Sequence, residues 1–289
     1  MYILENKQIQ ITVNPLGAKL KSLISKDTNL EYMWQADPTF WAKTSPVLFP
    51  IVGGLKDNTY KYKGKTYTLP RHGFAREMQF ELVHQSESTL VFAIQSDELT
   101  QQVYPFDFEF KITYTLHEAS ISVKYTIKNL GQAVMYFSVG AHPAFNVPLA
   151  GDLSYDDYNL HFIDDTVLHS YPLNIEGLVK DAPFSIDLEK SQLHLKKALF
   201  HKDALVLKDL KSTQVTLHSA KSPHGLRMSF EGFPYYGIWA ARDADFICLE
   251  PWCGIADPAN TNQELSQKEG INCVEASAVF ERNWSIELF

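Results

Sequence analysis

Three ionisable side chains of this sequence sit where they could move protons. Glu250 follows Asp245-Phe246-Ile247-Cys248-Leu249 and precedes Pro251, which places its carboxylate where an apolar strand stops and pairing is interrupted. Partial removal from water there raises a carboxylate pKa and makes a better base near neutral pH; a strand-end glutamate paired with a surface lysine is the plainer alternative. His142 lies in Gly140-Ala141-His142-Pro143, where the proline restricts the backbone before it and helps to aim the imidazole. A lone histidine at a strand end is more often structural. His72 is enclosed in Arg71-His72-Gly73-Phe74-Ala75-Arg76; two nearby guanidinium groups would disfavour the imidazolium and leave a neutral hydrogen-bond donor. The same arginines match the oxygens of an anionic substituent such as a sugar phosphate, or serve as ordinary surface charges.

The elements that must hold these groups are strands. Phe106, Phe108, Phe110, Ile112, Tyr114 and Leu116 alternate with Asp107, Glu109, Lys111 and Thr113, the pattern of a half-buried antiparallel strand. After a turn at His117-Glu118-Ala119, the run Ile121, Val123, Tyr125, Ile127 completes a hairpin. Further strands are expected at 9–13, 79–85, 89–95, 134–140, 203–209, 214–219, 225–231, 235–241, 245–250 and 279–288, with helix confined to turns near 97–102 and 261–267. So many short strands without intervening helical periods predict an all-β sandwich or barrel. No linker, charge block or repeat divides residues 1–289, which reads as one domain. The run from Ser45 to Arg76 is too rich in Pro and Gly to be regular strand throughout, and long ordered loops commonly serve a site.

Composition narrows the function. A net charge of -8 over 289 residues argues against nucleic acid and anionic lipid as partners. The first residues lack the basic and apolar regions of a signal peptide, and no apolar run is long enough to span a membrane. Three cysteines, Cys248, Cys253 and Cys273, suit a reducing compartment, so a cytoplasmic location is expected. Cys248 and Cys253 flank Glu250, yet the short pairing typical of zinc sites is missing, and no metal is expected. Motifs of serine hydrolases, P-loop enzymes and dinucleotide enzymes are absent. Trp34, Trp41, Trp252, Tyr235 and Tyr236 offer aromatic faces for sugar rings or for the core. A homodimer stays open, since nothing in the sequence sets the oligomeric state.

Taken together and in order, H-G-F-A-R at 72–76, G-A-H-P-A-F-N at 140–146 and L-E-P-W at 249–252 resemble the aldose 1-epimerase (galactose mutarotase) family. The similarity runs from N-P-L-G-A at 14–18 to the strand near Trp284 and is greatest to the LacX-type branch. The resemblance implies a large antiparallel galactose mutarotase-like β-sandwich with a sugar cleft on the concave face of one sheet. It implies His142 as general acid, Glu250 as general base and His72 as a second histidine assisting at the ring oxygen. Asp203 is the nearest match to the family's sugar-binding aspartate, and Asn146 and Trp252 belong to the same motifs as substrate contacts. Galactose mutarotases carry an arginine in an N-R segment that is absent here, and Lys56, Arg71 or Arg76 are candidates to replace it. The family's hexose-6-phosphate branch has a similar H-G-F-A-R motif, so Arg76 and Arg71 bear on whether the aldose is a free hexose such as galactose or a hexose phosphate.

The implied reaction opens the pyranose ring by acid-base catalysis and recloses it to the other anomer, with no redox step and no cofactor. Two other readings remain. A glycosidase would need two carboxylates across one glycosidic bond, which Glu250 with Asp203 or Asp257 could supply. A non-catalytic carbohydrate-binding protein would keep the cleft and lose turnover.

Overall fold

The computed structural model describes residues 1–289. The hairpin that the alternation predicts forms as Phe108–His117 and Ser120–Asn129, paired so that Phe110 faces Ile127 and Ile112 faces Tyr125. These two strands lie within a nine-stranded antiparallel sheet that begins at Gln192–His194 and ends at Glu81–Gln85. Its inward side chains, Phe108, Phe110, Ile112 and Tyr114, belong to one apolar cluster with Ile247, Leu249, Leu205 and Ile238 of a seven-stranded sheet. Burial on that scale is the main force holding the sheets face to face.

The seven-stranded sheet carries the site. Its successive strands are Val139–Gly140, Phe246–Cys253, Tyr235–Trp239, Leu205–Leu207, Val167–Ser170 and Phe184–Asp187, with Ala144–Asn146 also paired to Phe246–Cys253. Its second face is covered by a smaller cluster that includes Leu48, Val52, Val206, Trp252 and Ile255. Both faces of Phe246–Cys253 are therefore buried, which is why the late apolar strand shows no alternation in sequence.

Several expectations change in detail. The strand expected to stop at Glu250 continues to Cys253, and all of its residues are buried. Segment 134–140 divides: Met135–Phe137 pairs with Asn272–Val274, and Val139–Gly140 joins the sheet of the site. The helix near 97–102 forms at Glu98–Val103, capped by Asp97; the turn near 261–267 is a single 3-10 turn, Leu265–Gln267. No helix is long and apolar enough to cross a membrane.

Candidate active site

Pro251 does not end its strand because its missing N–H faces a gap. Leu249 N–H donates to Pro143 O at 3.2 Å and Ala141 N–H donates to Pro251 O at 3.1 Å, so these groups point toward the partner strand, which is irregular over 141–143. Register nevertheless carries across the break. Gly140 lies opposite Trp252 and Ala144 opposite Cys248, which puts His142 opposite Glu250. The two become a cross-strand pair on one face, with His142 Nε2 3.3 Å from Glu250 Oε2.

On the other side Gly237 is the partner of Glu250, and Val206 is the partner of Gly237. The row across the sheet thus reads His142, Glu250, Gly237, Val206. Glycine is required within it: a Cβ on Gly237 would stand 2.4 Å from the Trp252 ring, and one on Gly140 2.6 Å from the same ring. Trp252 can lie flat over both strands only because these two positions lack side chains. Gly237→Ala is expected to tilt Trp252 and destabilise the fold by about 1–3 kcal/mol, as overpacking does. A shift of the urea midpoint to lower concentration at constant slope would show it.

His72 reaches the same place from the Pro- and Gly-rich segment. It adopts φ +68° and Gly73 follows at φ +68°, a left-handed pair that a histidine adopts only where its surroundings hold it there. The turn closes on Phe49, whose carbonyl accepts from Phe74 and Ala75 N–H. Gly53 and His72 bond reciprocally: His72 N–H donates to Gly53 O at 2.9 Å, and Gly53 N–H donates to His72 Nδ1 at 3.1 Å. A backbone N–H is always the donor, so Nδ1 is unprotonated and neutral His72 carries its proton on Nε2. The His72 and His142 rings meet edge to face at 5.8 Å.

Burial dominates the electrostatics. It holds His72 well below the usual histidine range, reinforced by His142 and then by Arg71 and Arg76; the arginines expected to neutralise this ring are secondary to desolvation. Burial likewise pushes His142 down to about 3. Glu250, 2% exposed, is raised well above the ordinary carboxylate value by burial, with Arg71 opposing and Asp203 adding to the rise. His142 Nδ1, Glu250 Oε2 and Trp252 Nε1 are buried without a hydrogen-bond partner. Unpaired buried polar atoms are costly, and the cost falls on the His142–Glu250 pair and on the Trp252 ring beside it.

A metal is a poorer occupant. Atoms of His142, Cys248 and Glu250 lie within 4.8 Å of one another, and the fold thereby brings a histidine to Cys248. Burial, however, raises the Cys248 thiol well above its usual pKa, away from the thiolate that binds metals. Cys253 takes no part, its thiol directed to Gly232 O.

The pair opens into a cleft of about 620 Å³. Among the residues singled out in sequence, Arg71, Arg76, Asp203 and Trp252 line it with His72, His142 and Glu250. Asp203 is a second left-handed position, at φ +97°. Lys56 and Asn146 do not line it. The Lys56 ammonium donates to Ala259 O at 3.0 Å, and Asn146 Nδ2 donates to Glu31 O and Met33 O, so both fasten neighbouring backbone instead. The Asp257 carboxylate is engaged by Lys268 at 2.7 Å. Trp41 stacks on His142 at 5.1 Å, whereas Trp34 and Tyr236 belong to the main core. Trp239 and Lys43 line the cleft without having been expected there. The signal for Trp239 was parity with Gly237 on its strand; Lys43 carries no comparable mark.

Comparison with known proteins agrees with this geometry. The family model described as aldose 1-epimerase matches residues 1–270. The plasmid-encoded protein LacX of Lactococcus lactis subsp. lactis is 36% identical over 282 residues, covering 94% of this chain and 93% of LacX. A galactose mutarotase related enzyme from Lactobacillus acidophilus superposes with a TM-score of 0.95 at 33% identity, over 100% of this chain and 97% of its own. A galactose mutarotase-like protein from Lactobacillus casei gives 0.92 at 31% identity, with both chains fully covered. A sandwich of this architecture, a cleft of this composition and a match over nearly the whole length have one reading: the chain belongs to the aldose 1-epimerase family.

Proposed function

We propose that the protein interconverts the α and β anomers of a hexose carrying a phosphate, by opening and reclosing the pyranose ring. The observation that carries this reading is the buried pair of Glu250 and His142, 3.3 Å apart and facing a cleft of sugar size. The pair holds one proton. Burial favours the uncharged arrangement with that proton on Glu250; sugar hydroxyls placed between the two groups stabilise the ionic one, with the proton on His142. Glu250 then takes the proton of the anomeric hydroxyl while His142 donates to the ring oxygen, assisted by the Nε2–H of His72. The bond from C1 to the ring oxygen breaks, an aldehyde forms, and rotation about C1–C2 exposes its other face. The same groups in reversed roles close the ring and recover the starting protonation.

The phosphate rests on Arg71. Lys43 and Arg76 each lie 3.6 Å from Glu77, and the Arg76 guanidinium also donates to Arg71 O. Arg71 forms no ion pair, and its guanidinium passes close to Gly177 at the cleft wall. Arg71 and Lys202 are the cleft-lining cations without an ion pair, and of the two the planar Arg71 guanidinium matches phosphate oxygens in pairs. Arg71→Ala is expected to raise KM for a hexose 6-phosphate about 10- to 100-fold, the value of a hydrogen bond to a charged group, and to leave kcat nearly unchanged.

The test is exchange between anomers, followed by NMR for glucose, galactose and their 6-phosphates with and without protein. Acceleration of the phosphates above the free sugars, lost in Arg71→Ala, supports the proposal. Equal acceleration of free sugars would overturn the phosphate assignment, and binding of a sugar without acceleration would favour a carbohydrate-binding protein.

A further inference from the structure

The cleft-lining Gly53 that fixes the His72 tautomer is itself held from behind by a buried ion pair. Lys268 and Asp257 have side chains only 3% and 2% exposed. The Lys268 ammonium donates to Asp257 Oδ1 at 2.7 Å and to Ile255 O at 2.6 Å. The other oxygen, Asp257 Oδ2, accepts Lys56 N–H at 3.0 Å, while Asp257 N–H donates to Gly54 O at 2.9 Å. Gly53 is pressed on Ala256: a Cβ there would stand 2.5 Å from the Ala256 Cβ. The segment after Gly53 is thus tied to Asp257 at two points, Gly54 O and Lys56 N–H, Gly53 itself packs on Ala256, and Asp257 is fastened to Lys268.

A buried pair of this kind is weak evidence of stabilisation, because apolar residues of similar size commonly serve as well or better. Burial lowers the Lys268 pKa, with Asp257 opposing, so the charges sit where they cost free energy. What the pair does deliver is direction: two carboxylate oxygens address two separate chain segments at once. We propose that Asp257, its buried charge balanced by Lys268, is a positioning residue, which aims the Gly53 N–H at His72 Nδ1 and so keeps the His72 proton on the cleft side. This rests on the reading of His72 as a donor to substrate.

The test uses the full chain with the pair replaced together, Asp257→Leu with Lys268→Met, which removes both charges and leaves Lys56 N–H without its acceptor. The expected result is a folded protein in which ¹⁵N NMR of the His72 ring shows a mixture of tautomers where the parent shows Nε2–H alone. The kcat should fall about 10²-fold, as for a misplacement near 1 Å, with little change in KM. In a His72→Gln background the same replacement should cost nothing further in kcat, because it acts through that ring. A conservative variant, Asp257→Asn with Lys268→Met, keeps an oxygen for Lys56 N–H and should restore both tautomer and rate; if the leucine variant fails to fold, Asp257→Ala with Lys268→Met, which also removes the acceptor without adding bulk, takes its place with the same expected mixture of tautomers. An unchanged tautomer with the pair replaced, or full additivity with His72→Gln, would overturn the proposal. The NMR arm needs no substrate, so its outcome is separable from that of the proposed reaction.

Discussion

Glu250→Gln is expected to abolish nearly all anomerisation, lowering kcat by about 10²- to 10⁴-fold, while the protein folds normally. Glutamine keeps the shape and the hydrogen-bonding edge of the side chain but cannot accept a proton at neutral pH, so only the base is lost. Stability should move the opposite way. Burial raises the folded-state pKa of Glu250 above the ordinary value of 4.5, so ionisation penalises the folded state increasingly as pH rises above 4.5. Glutamine has no such penalty. Thermal melts should therefore show the variant gaining on the parent from pH 5 to pH 8, as activity disappears. Near-normal turnover, measured by NMR exchange on the sugar the parent accelerates most, would sink the assignment of Glu250 as base.

His142→Asn should cost a comparable factor in kcat, and the double variant with Glu250→Gln should be little worse than either alone. Two groups that pass one proton act as a unit, and removing either disables both. The pH signature differs in sign from that of Glu250. In the unfolded chain His142 takes a proton near 6.5, in the folded protein only at about 3, so the unfolded state binds more protons between those values. This group therefore erodes stability as pH falls from 6.5 toward 3. Asparagine does not titrate, and His142→Asn should lose less stability than the parent between pH 7 and pH 4. Equal losses in a melt series, together with undiminished exchange, would remove His142 from the proton path.

The architecture was legible in the sequence wherever one face of a strand met the core and the other met water. Phe108–His117 and Ser120–Asn129 show that alternation, and both were readable nearly to the residue. Strands buried on both faces are visible only as apolar runs, so the sequence marks no end for Phe246–Cys253 beyond Glu250. A proline in a sheet is unreadable without its neighbour; here the adjoining strand is irregular at the one place where a donor would have been needed. Short or polar strands such as Lys65–Thr68 and Phe184–Asp187 carry no pattern of their own, because their pairing comes from turns and tertiary contacts.

The site divides along the same line. The residue types, their order and their chemistry were present in the chain: Glu250 after an apolar run, His142 before a proline, His72 between arginines. Aligning G-A-H-P-A-F-N antiparallel to C-L-E-P-W-C sets His142 opposite Glu250 once Gly140 is matched to Trp252, but no local pattern reveals that two segments so far apart in sequence are neighbours. Only tertiary structure removed Lys56 and Asn146 from the cleft, since each satisfies backbone carbonyls of a segment remote in sequence. It also brought in Lys43 and Trp239, and set Asp257 against Lys268 instead of against a sugar. Sequence determined which groups can exchange protons, because that is a property of the side chain. The fold decided which of them are dry, which face one another and which have no other partner, because desolvation and register belong to the packed sheets and not to any single segment.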